Sequence, residues 1–190
     1  MTVTTASALV LPVDPDAFGT DDAITPMLEF IRSASGGRLL NMHLQMASSP
    51  LVLDQYTALR RAIGDHARLD PLPRAAVAVA ASSAGHGEYT LAVNSMLARR
   101  AGWSDEQVTA ITDGRSSGDT KIDALIEVVR EAAAGDGTVT DVTWTAATDA
   151  GWTEQELVET YGYLALVSYC DRFVRYARTE FDLAFAATAS

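Results

Sequence analysis

The sequence predicts an all-α protein, a helical bundle built from two similar helical halves. From Asp21 onward, apolar residues recur every three or four positions, and helix start and stop signals follow at short intervals. No two neighbouring segments alternate in the way that predicts paired β-strands. A seven-residue motif at 101–107 returns at 150–156. Because 190 residues suffice for one buried core, we expect residues 21–190 to form a single domain.

The N-terminal elements are bounded by clear end signals. Residues 1–20 mix Thr, Ala and Val with two prolines and lack helical periodicity, so we expect an extended arm. One of the aspartates at 21–22 can cap the first helix, and the glycine pair at 36–37 can end it. Ser49 and Pro50 are a cap followed by proline at the first helical position. We expect helices over residues 21–35, around 39–46 and over 50–64.

The next helix is predicted to lie at the centre of the fold. Asp70 and Pro71 repeat the start signal, and the segment 72–83 that follows is almost entirely apolar or small between 75 and 81. A helix that is hydrophobic all round belongs in a core. The glycines at 85 and 87 then precede a helix that ends at Gly102.

The repeated motif has the pattern of a helix-turn-helix joint used twice. In each copy a glycine ends one helix, a hydroxyl side chain caps the next, and an amide or carboxylate three residues on completes a capping box. A tryptophan precedes each cap, where it can pack onto the new helix. The residues in these roles are Gly102 and Gly151, Ser104 and Thr153, Gln107 and Glu156, and Trp103 and Trp152.

Three further helices complete the chain. Asp119 is predicted to cap a helix through residue 134, and Asp141 to cap a short one. The last segment, residues 154–187, would be ~50 Å long if straight. Because that exceeds the width of a small domain, we expect it to bend near 168–171 or to reach a neighbouring subunit.

Charge and cysteine content exclude several functional classes. With 25 acidic and 14 basic residues the net charge is -11, which repels phosphate backbones, so we expect no nucleic-acid partner. No apolar run approaches the ~20 residues of a membrane span, and no secretory signal begins the chain, so we expect no membrane association and a cytoplasmic location. The single cysteine, Cys170, cannot form an internal disulfide, and the three histidines lack metal-binding spacing, so no metal is expected.

The order of several short motifs resembles one known superfamily. These motifs are the residues 39–43 that lead to Ser49 and Pro50, Leu69-Asp70 before the apolar helix, residues 85–89, and residues 101–104. In this order and spacing they resemble the carboxymuconolactone decarboxylase and alkylhydroperoxidase D-like (AhpD-like) superfamily. The resemblance covers roughly residues 21–181. It implies an AhpD-like helical bundle that assembles as a homotrimer or homohexamer.

The same resemblance implies that redox chemistry is absent. In the redox branch of the family a glutamate on the apolar helix works with a C-x-x-C pair and a histidine one helical turn further on. The register places these four positions at Ala75, Gly87, Thr90 and Asn94, so all four functional side chains are missing. The decarboxylase branch needs no cysteine pair. It implies a cofactor-independent enzyme.

A polar cluster occupies the corresponding place in this chain. If the helix begins near His86, then His86, Thr90 and Asn94 share one face at i, i+4 and i+8. His86 beside Glu88 can act as a general base near neutral pH, and Tyr89 or Asn94 can stabilise an oxyanion. We therefore predict His86 and Glu88 as catalytic residues, and Tyr89, Thr90 and Asn94 as substrate-binding residues. The alternative is that His86 caps a helix or lies in a loop while Glu88 complements the helix dipole.

Two more residues are substrate-binding candidates, each with a structural alternative. His43 lies among apolar neighbours and is either a ligand-binding residue or a core histidine that is hydrogen-bonded internally. Arg172 can hold a substrate carboxylate with two parallel hydrogen bonds, or it belongs with Tyr169 and Tyr176 to a subunit interface. Cys170 is predicted to be an unreactive core thiol.

Three functions follow from these observations. The first is an acid/base enzyme, without cofactor, that decarboxylates, isomerises or opens the ring of a small organic acid, lactone or carbonyl compound. The second is a non-catalytic binding or assembly protein on the same scaffold. The third is a single-thiol peroxidase that uses Cys170. Because a fold hosts many functions, the geometry of the site has to decide among them.

Overall fold

The computed structural model describes residues 21–182, and within this range it contains helices and turns but no strand. This confirms the prediction of an all-α protein. The predicted arm, residues 1–20, lies outside the described residues. The helices are α1 (Thr25–Ala34), α2 (Asn41–Met46), α3 (Pro50–His66), α4 (Pro71–Ala84), α5 (Glu88–Ala101), α6 (Asp105–Thr112), α7 (Thr120–Ala134), α8 (Asp141–Asp149) and α9 (Glu154–Ala177).

The described residues divide into two compact units. Residues 59–171 form one unit, and residues 21–58 together with 172–182 form the other. Helices α3 and α9 each contribute to both units. A single domain over residues 21–190 stays a prediction.

In the unit of residues 59–171, the predicted central helix is α4. It contacts α5, α6 and α7. Most of its small and β-branched residues between 76 and 82 are buried, which lets three helices approach one backbone closely. α7 faces it with a continuous apolar stripe. The buried residues of α4 and α7 include Ala76, Val77, Val79 and Ala80, and Ile122, Leu125, Ile126, Val128 and Val129.

This unit contains the predicted repeat, and the repeat is larger than the motif. The indole N–H of Trp103 donates to the carbonyl of Leu72 at 2.9 Å, and that of Trp152 donates to the carbonyl of Lys121 at 2.7 Å. Each bond joins residues that are 31 positions apart. The second tryptophan–carbonyl pair is therefore the first pair moved along the chain by a constant number of residues. The helices α4–α5–α6 and α7–α8–α9 therefore repeat one arrangement, in which the tryptophan before the third helix is hydrogen-bonded to the first turn of the first helix.

Both capping boxes of the repeat are present. The amide of Gln107 donates to Ser104 Oγ at 3.2 Å, and the amide of Glu156 donates to Thr153 Oγ1 at 3.2 Å. The return bonds, from the Ser104 and Thr153 amides to the Gln107 and Glu156 side chains, measure 3.1 and 2.8 Å. Before each box the glycine takes a positive φ, +115° at Gly102 and +93° at Gly151. The predicted stop and start signals are thus confirmed in both copies.

The other unit includes α1, α2 and the segment that follows α9. α1 buries Met27, Leu28 and Ile31, which lie on one helical face. Nearly all of α2 is buried. The segment after α9 is tied to α2, because the amide of Asn41 donates to Asp182 Oδ1 at 3.0 Å.

Several predicted element boundaries were wrong. α1 begins at Thr25 and not at the aspartates, since the Asp21 carboxylate instead accepts bonds from the Ala23 and Ile24 amides in a preceding turn. α2 begins only after Leu40, whose backbone is extended. α8 is capped by Thr140, whose hydroxyl accepts from the amide two residues after Asp141.

The last helix is shorter than predicted. α9 ends at Ala177, so its 24 residues span about 36 Å. Arg178 takes a left-handed conformation with φ +51°, and the Thr179 amide donates back to the Val174 carbonyl at 2.9 Å. This is the usual helix stop with an arginine in place of the usual glycine. The sequence therefore contains no visible signal for the end of α9. Because the helix is shorter than predicted, its length no longer requires a bend near 168–171 or a contact with a neighbouring subunit.

Candidate functional site

The turn between α4 and α5 contains the predicted catalytic histidine. The amides of Gly85, His86 and Gly87 donate to the carbonyls of Ala81, Ser83 and Ser82 at 3.0–3.1 Å, which fixes the turn onto the end of α4. His86 itself has φ +54°, a left-handed conformation that is uncommon outside glycine. Its side chain is exposed.

The predicted helical face through His86 was wrong. α5 begins at Glu88, so His86 precedes the helix and does not continue the line of Thr90 and Asn94. Glu88 is the first residue of α5 and is exposed, whereas Tyr89 and Thr90 are buried. The catalytic roles of His86 and Glu88 stay predictions, as do the binding roles of Tyr89, Thr90 and Asn94.

A buried carboxylate lies at this turn, and the sequence analysis did not select it. Asp171, on α9, is 2% exposed, and Thr90 is 3% exposed. The Thr90 hydroxyl lies within hydrogen-bonding distance of Asp171 Oδ1 and of the Gly87 carbonyl, the latter at 3.0 Å. Both residues belong to the unit of residues 59–171. The structure thus brings together a hydroxyl and a carboxyl group at the N-terminus of α5.

This position favours a negative charge. The first amides of a helix have no partner within the helix, and the helix dipole adds a partial positive charge there. By the register of the resemblance, residues 87 and 90 are where the redox branch has its two cysteines. Here a threonine hydroxyl and an aspartate carboxyl group from another helix meet at that point.

Asn94 and Ser82 form a second polar contact between α4 and α5. The side-chain amide of Asn94 donates to Ser82 Oγ at 2.8 Å, and the Ser82 hydroxyl donates to the Ala78 carbonyl at 2.9 Å. Asn94 is only partly buried. Its amide therefore helps to join the two helices at the site.

Cys170 precedes Asp171 on α9 and is buried. Burial and, to a smaller extent, the neighbouring Asp171 carboxylate raise the pKa of the Cys170 thiol to about 12, against the opposing effect of Arg60. At neutral pH the sulfur is a protonated thiol. It lies in the core as predicted.

The two remaining candidates belong to the other unit. His43 is buried, its Nδ1 accepts from the Leu40 amide at 3.0 Å, and its Nε2 lies 3.0 Å from the Tyr56 hydroxyl. Because Nδ1 is an acceptor, the ring proton lies on Nε2 and the ring is neutral. His43 is thus hydrogen-bonded internally, which is the structural alternative of the sequence analysis. Arg172 is exposed. For both residues substrate binding stays a prediction.

Residues 21–182 contain neither a group of metal-binding side chains nor a membrane-crossing helix. Among these residues no three His, Cys, Asp or Glu side chains come close enough to bind a metal ion. No helix in the same range has the length and apolar character to cross a membrane.

Comparisons with known proteins place the fold. No protein-family model matches the chain, and no curated protein sequence matches it. Among solved structures, the debrominase Bmp8, as a cysteine-to-alanine variant in complex with 2,3,4-tribromopyrrole, superposes with a TM-score of 0.81 at 17% identity, covering 96% of both chains. The AhpD core of a peroxidase-related protein from Ralstonia eutropha JMP134 superposes with a TM-score of 0.79 at 17% identity, over 95% of this chain and 96% of that one.

The chain has the AhpD-like fold. A peroxidase-related protein from Silicibacter sp. TM1040 agrees, with a TM-score of 0.76 at 15% identity over 97% of both chains. These structures confirm the AhpD-like bundle that the motif order predicted.

Asp171 could have been selected from the sequence by its place in the apolar pattern of the last helix. Along α9 the buried apolar residues include Leu164, Val167 and Val174, which are seven and four residues before Asp171 and three after it. An aspartate on that stripe is placed in the core. A buried carboxylate requires a hydrogen-bond partner, and this requirement was the available signal.

Proposed function

We propose that this chain is an AhpD-like enzyme that performs acid/base chemistry on a small organic molecule without a cofactor. Its reacting groups are Asp171 and Thr90, and it has no dithiol peroxidase activity. The observation that supports this proposal is the contact between the Thr90 hydroxyl and the Asp171 carboxyl group at the N-terminus of α5.

This contact suits proton transfer because its hydrogen bonds can form whether Asp171 is ionised or protonated. A threonine hydroxyl has one proton, and here it has two acceptors within reach, Asp171 Oδ1 and the Gly87 carbonyl. When Asp171 is ionised, Thr90 donates to it. When Asp171 is protonated, Asp171 donates to Thr90 Oγ1, and Thr90 donates to Gly87. Asp171 can therefore gain or lose a proton without leaving a buried group unpaired.

Sulfur chemistry is a poorer explanation. The chain has one cysteine, so it has no pair for disulfide exchange. Burial keeps the Cys170 thiol protonated, with its pKa raised to about 12, and the thiolate is the reactive form. A single-thiol peroxidase that uses Cys170 is therefore not part of the proposal.

The proposed substrate is a lactone, carbonyl compound or organic acid of small size, and the reaction is decarboxylation, isomerisation or ring opening. The complex of Bmp8 with a tribromopyrrole supports a small cyclic ligand on this scaffold. His86 and Glu88 flank Gly87 on the solvent side, where they would exchange protons between water and the buried pair. We further propose that the protein self-associates as a homotrimer or homohexamer.

The proposal is tested by hydrogen exchange into substrate. A panel of small lactones, ketones and β-keto acids is incubated in D2O with the protein, and NMR follows deuterium incorporation, ring opening and decarboxylation. We expect one compound class to react with the wild type. The Asp171→Asn variant should lose at least 100-fold in rate, as expected for loss of a general acid or base.

Matched variants separate the groups at the site. Asp65→Asn changes an exposed carboxylate on α3 and should keep full activity. His86→Ala should slow the reaction less than Asp171→Asn does. Full activity of Asp171→Asn would move the chemistry away from this pair, whereas equal losses in both variants would favour His86 as the base.

One observation favours the second candidate, a non-catalytic binding or assembly protein. Thr90 and Asp171 are both almost fully buried, so a substrate reaches them only if some of the surrounding residues move. In a non-catalytic protein their contact would simply hold α9 against α5. A stable, folded wild type that turns over no compound in the panel, together with no thermal shift from any of them, would support this candidate.

A further inference from the structure

The turn between α4 and α5 has two glycines that the backbone conformation does not require. Gly85 has φ -78° and Gly87 has φ -90°, values that any residue adopts. The residue between them, His86, takes the left-handed φ of +54° that glycine would suit best. The two glycines therefore need an explanation other than backbone freedom.

The explanation is space for the Asp171 carboxylate. A Cβ atom at residue 87 would overlap Asp171 Oδ1 and Cγ and would lie 2.5 Å from Thr90 Oγ1. A Cβ atom at residue 85 would lie 2.9 Å from Asp171 Oδ2 and 3.2 Å from the Ala81 carbonyl. Asp171 Oδ1 thus occupies the space of a side chain at residue 87, and Oδ2 lies close to the place where a side chain at residue 85 would begin.

We propose that Gly87 is a positioning residue for Asp171. The absence of a side chain at Gly87 leaves the space in which the carboxylate contacts Thr90. The Gly87 carbonyl accepts a hydrogen bond from the Thr90 hydroxyl when Asp171 is protonated. The proposal rests on the proposed function, because positioning matters only if the pair exchanges a proton. It predicts that a side chain at residue 87 and an aspartate at residue 171 exclude one another.

The first test is a cycle of stability measurements. Gly87→Ala should lower the melting temperature strongly, whereas in an Asp171→Ala background the same change should have a clearly smaller effect, because the two closest clashing atoms belong to Asp171 and the third is Thr90 Oγ1. Gly162→Ala is the matched control, since a Cβ atom there meets nothing within 4 Å. If Gly87→Ala alone does not fold, the double variant must still fold. Equal effects of Gly87→Ala in both backgrounds, or a double variant that also fails to fold, would overturn the proposal.

The second test reads the proton on Asp171 and needs no substrate. The carboxyl carbon of Asp171 is followed by 13C NMR across pH in the wild type, in Gly87→Ala and in Gly162→Ala. We expect the titration midpoint to move in Gly87→Ala and to stay in Gly162→Ala. A midpoint that is the same in all three proteins would reduce Gly87 to a packing role. Since this measurement does not depend on turnover, failure of the positioning proposal is distinguishable from failure of the enzyme proposal.

Discussion

Cys170 and Asp171 are adjacent on α9, and burial affects their chemistry in different ways. The thiol has no need of a partner, so burial simply keeps it protonated, with its pKa raised to about 12. The carboxyl group does need partners, and Thr90 is one of them. The residue that resembles a nucleophile in the sequence is therefore inert, and the reactive candidate is the aspartate beside it.

The Cys170 thiol should resist modification in the native protein. Because the thiolate is the nucleophile and the sulfur is buried, we expect labelling by a disulfide reagent to be at least tenfold slower than in urea, up to about pH 9. Ser48→Cys, at an exposed residue, provides a control that should react at once. Rapid labelling of native wild type would contradict the buried, protonated thiol.

The Thr90 hydroxyl should contribute measurably to stability. Thr90→Val keeps the shape but removes the hydrogen bond to Asp171, so we expect a loss of about 1–3 kcal/mol in the free energy of unfolding. Thr90→Ser keeps the hydroxyl and should lose less. Urea denaturation at neutral pH measures both. A Thr90→Val protein as stable as the wild type would show that the contact is unimportant.

At the scale of helices, the sequence predicted ends that depend on local side chains. Asp119 accepts from the Lys121 and Ile122 amides as expected, and both capping boxes formed. Two of the missed ends depend on a left-handed residue other than glycine, His86 before α5 and Arg178 after α9. Such residues are held by the surrounding structure and have no sequence signature, so α5 was placed two residues early.

The two capping boxes should have similar energies, because they occupy the same place in the repeat. Ser104→Ala and Thr153→Ala each remove the bond to an amide at the start of a helix, and each should lower the free energy of unfolding by about 1 kcal/mol. Thr145→Ala, at an exposed position within α8, is a control that should be neutral or slightly stabilising. Chemical denaturation compares the three. A loss in only one of the two cap variants would show that the halves are not equivalent.

For the whole molecule, the fold could be predicted because its signals are local and ordered along the chain. Caps, glycine stops and the apolar α4 determine the helices, and their order resembles that of the AhpD-like superfamily. The pair at the centre of the proposed site could not be predicted in this way. Thr90 and Asp171 are 81 residues apart, and only the packing of α9 onto the turn before α5 brings them together.

The claim that Asp171 and Thr90 share a proton is tested most directly by neutron diffraction of deuterated crystals at two pH values. At the higher pH we expect the deuterium on Thr90 Oγ1 to point to Asp171. At the lower pH we expect a deuterium on Asp171 that points to Thr90, with the threonine deuterium turned to the Gly87 carbonyl. A threonine deuterium that points to Gly87 at both pH values would contradict the account.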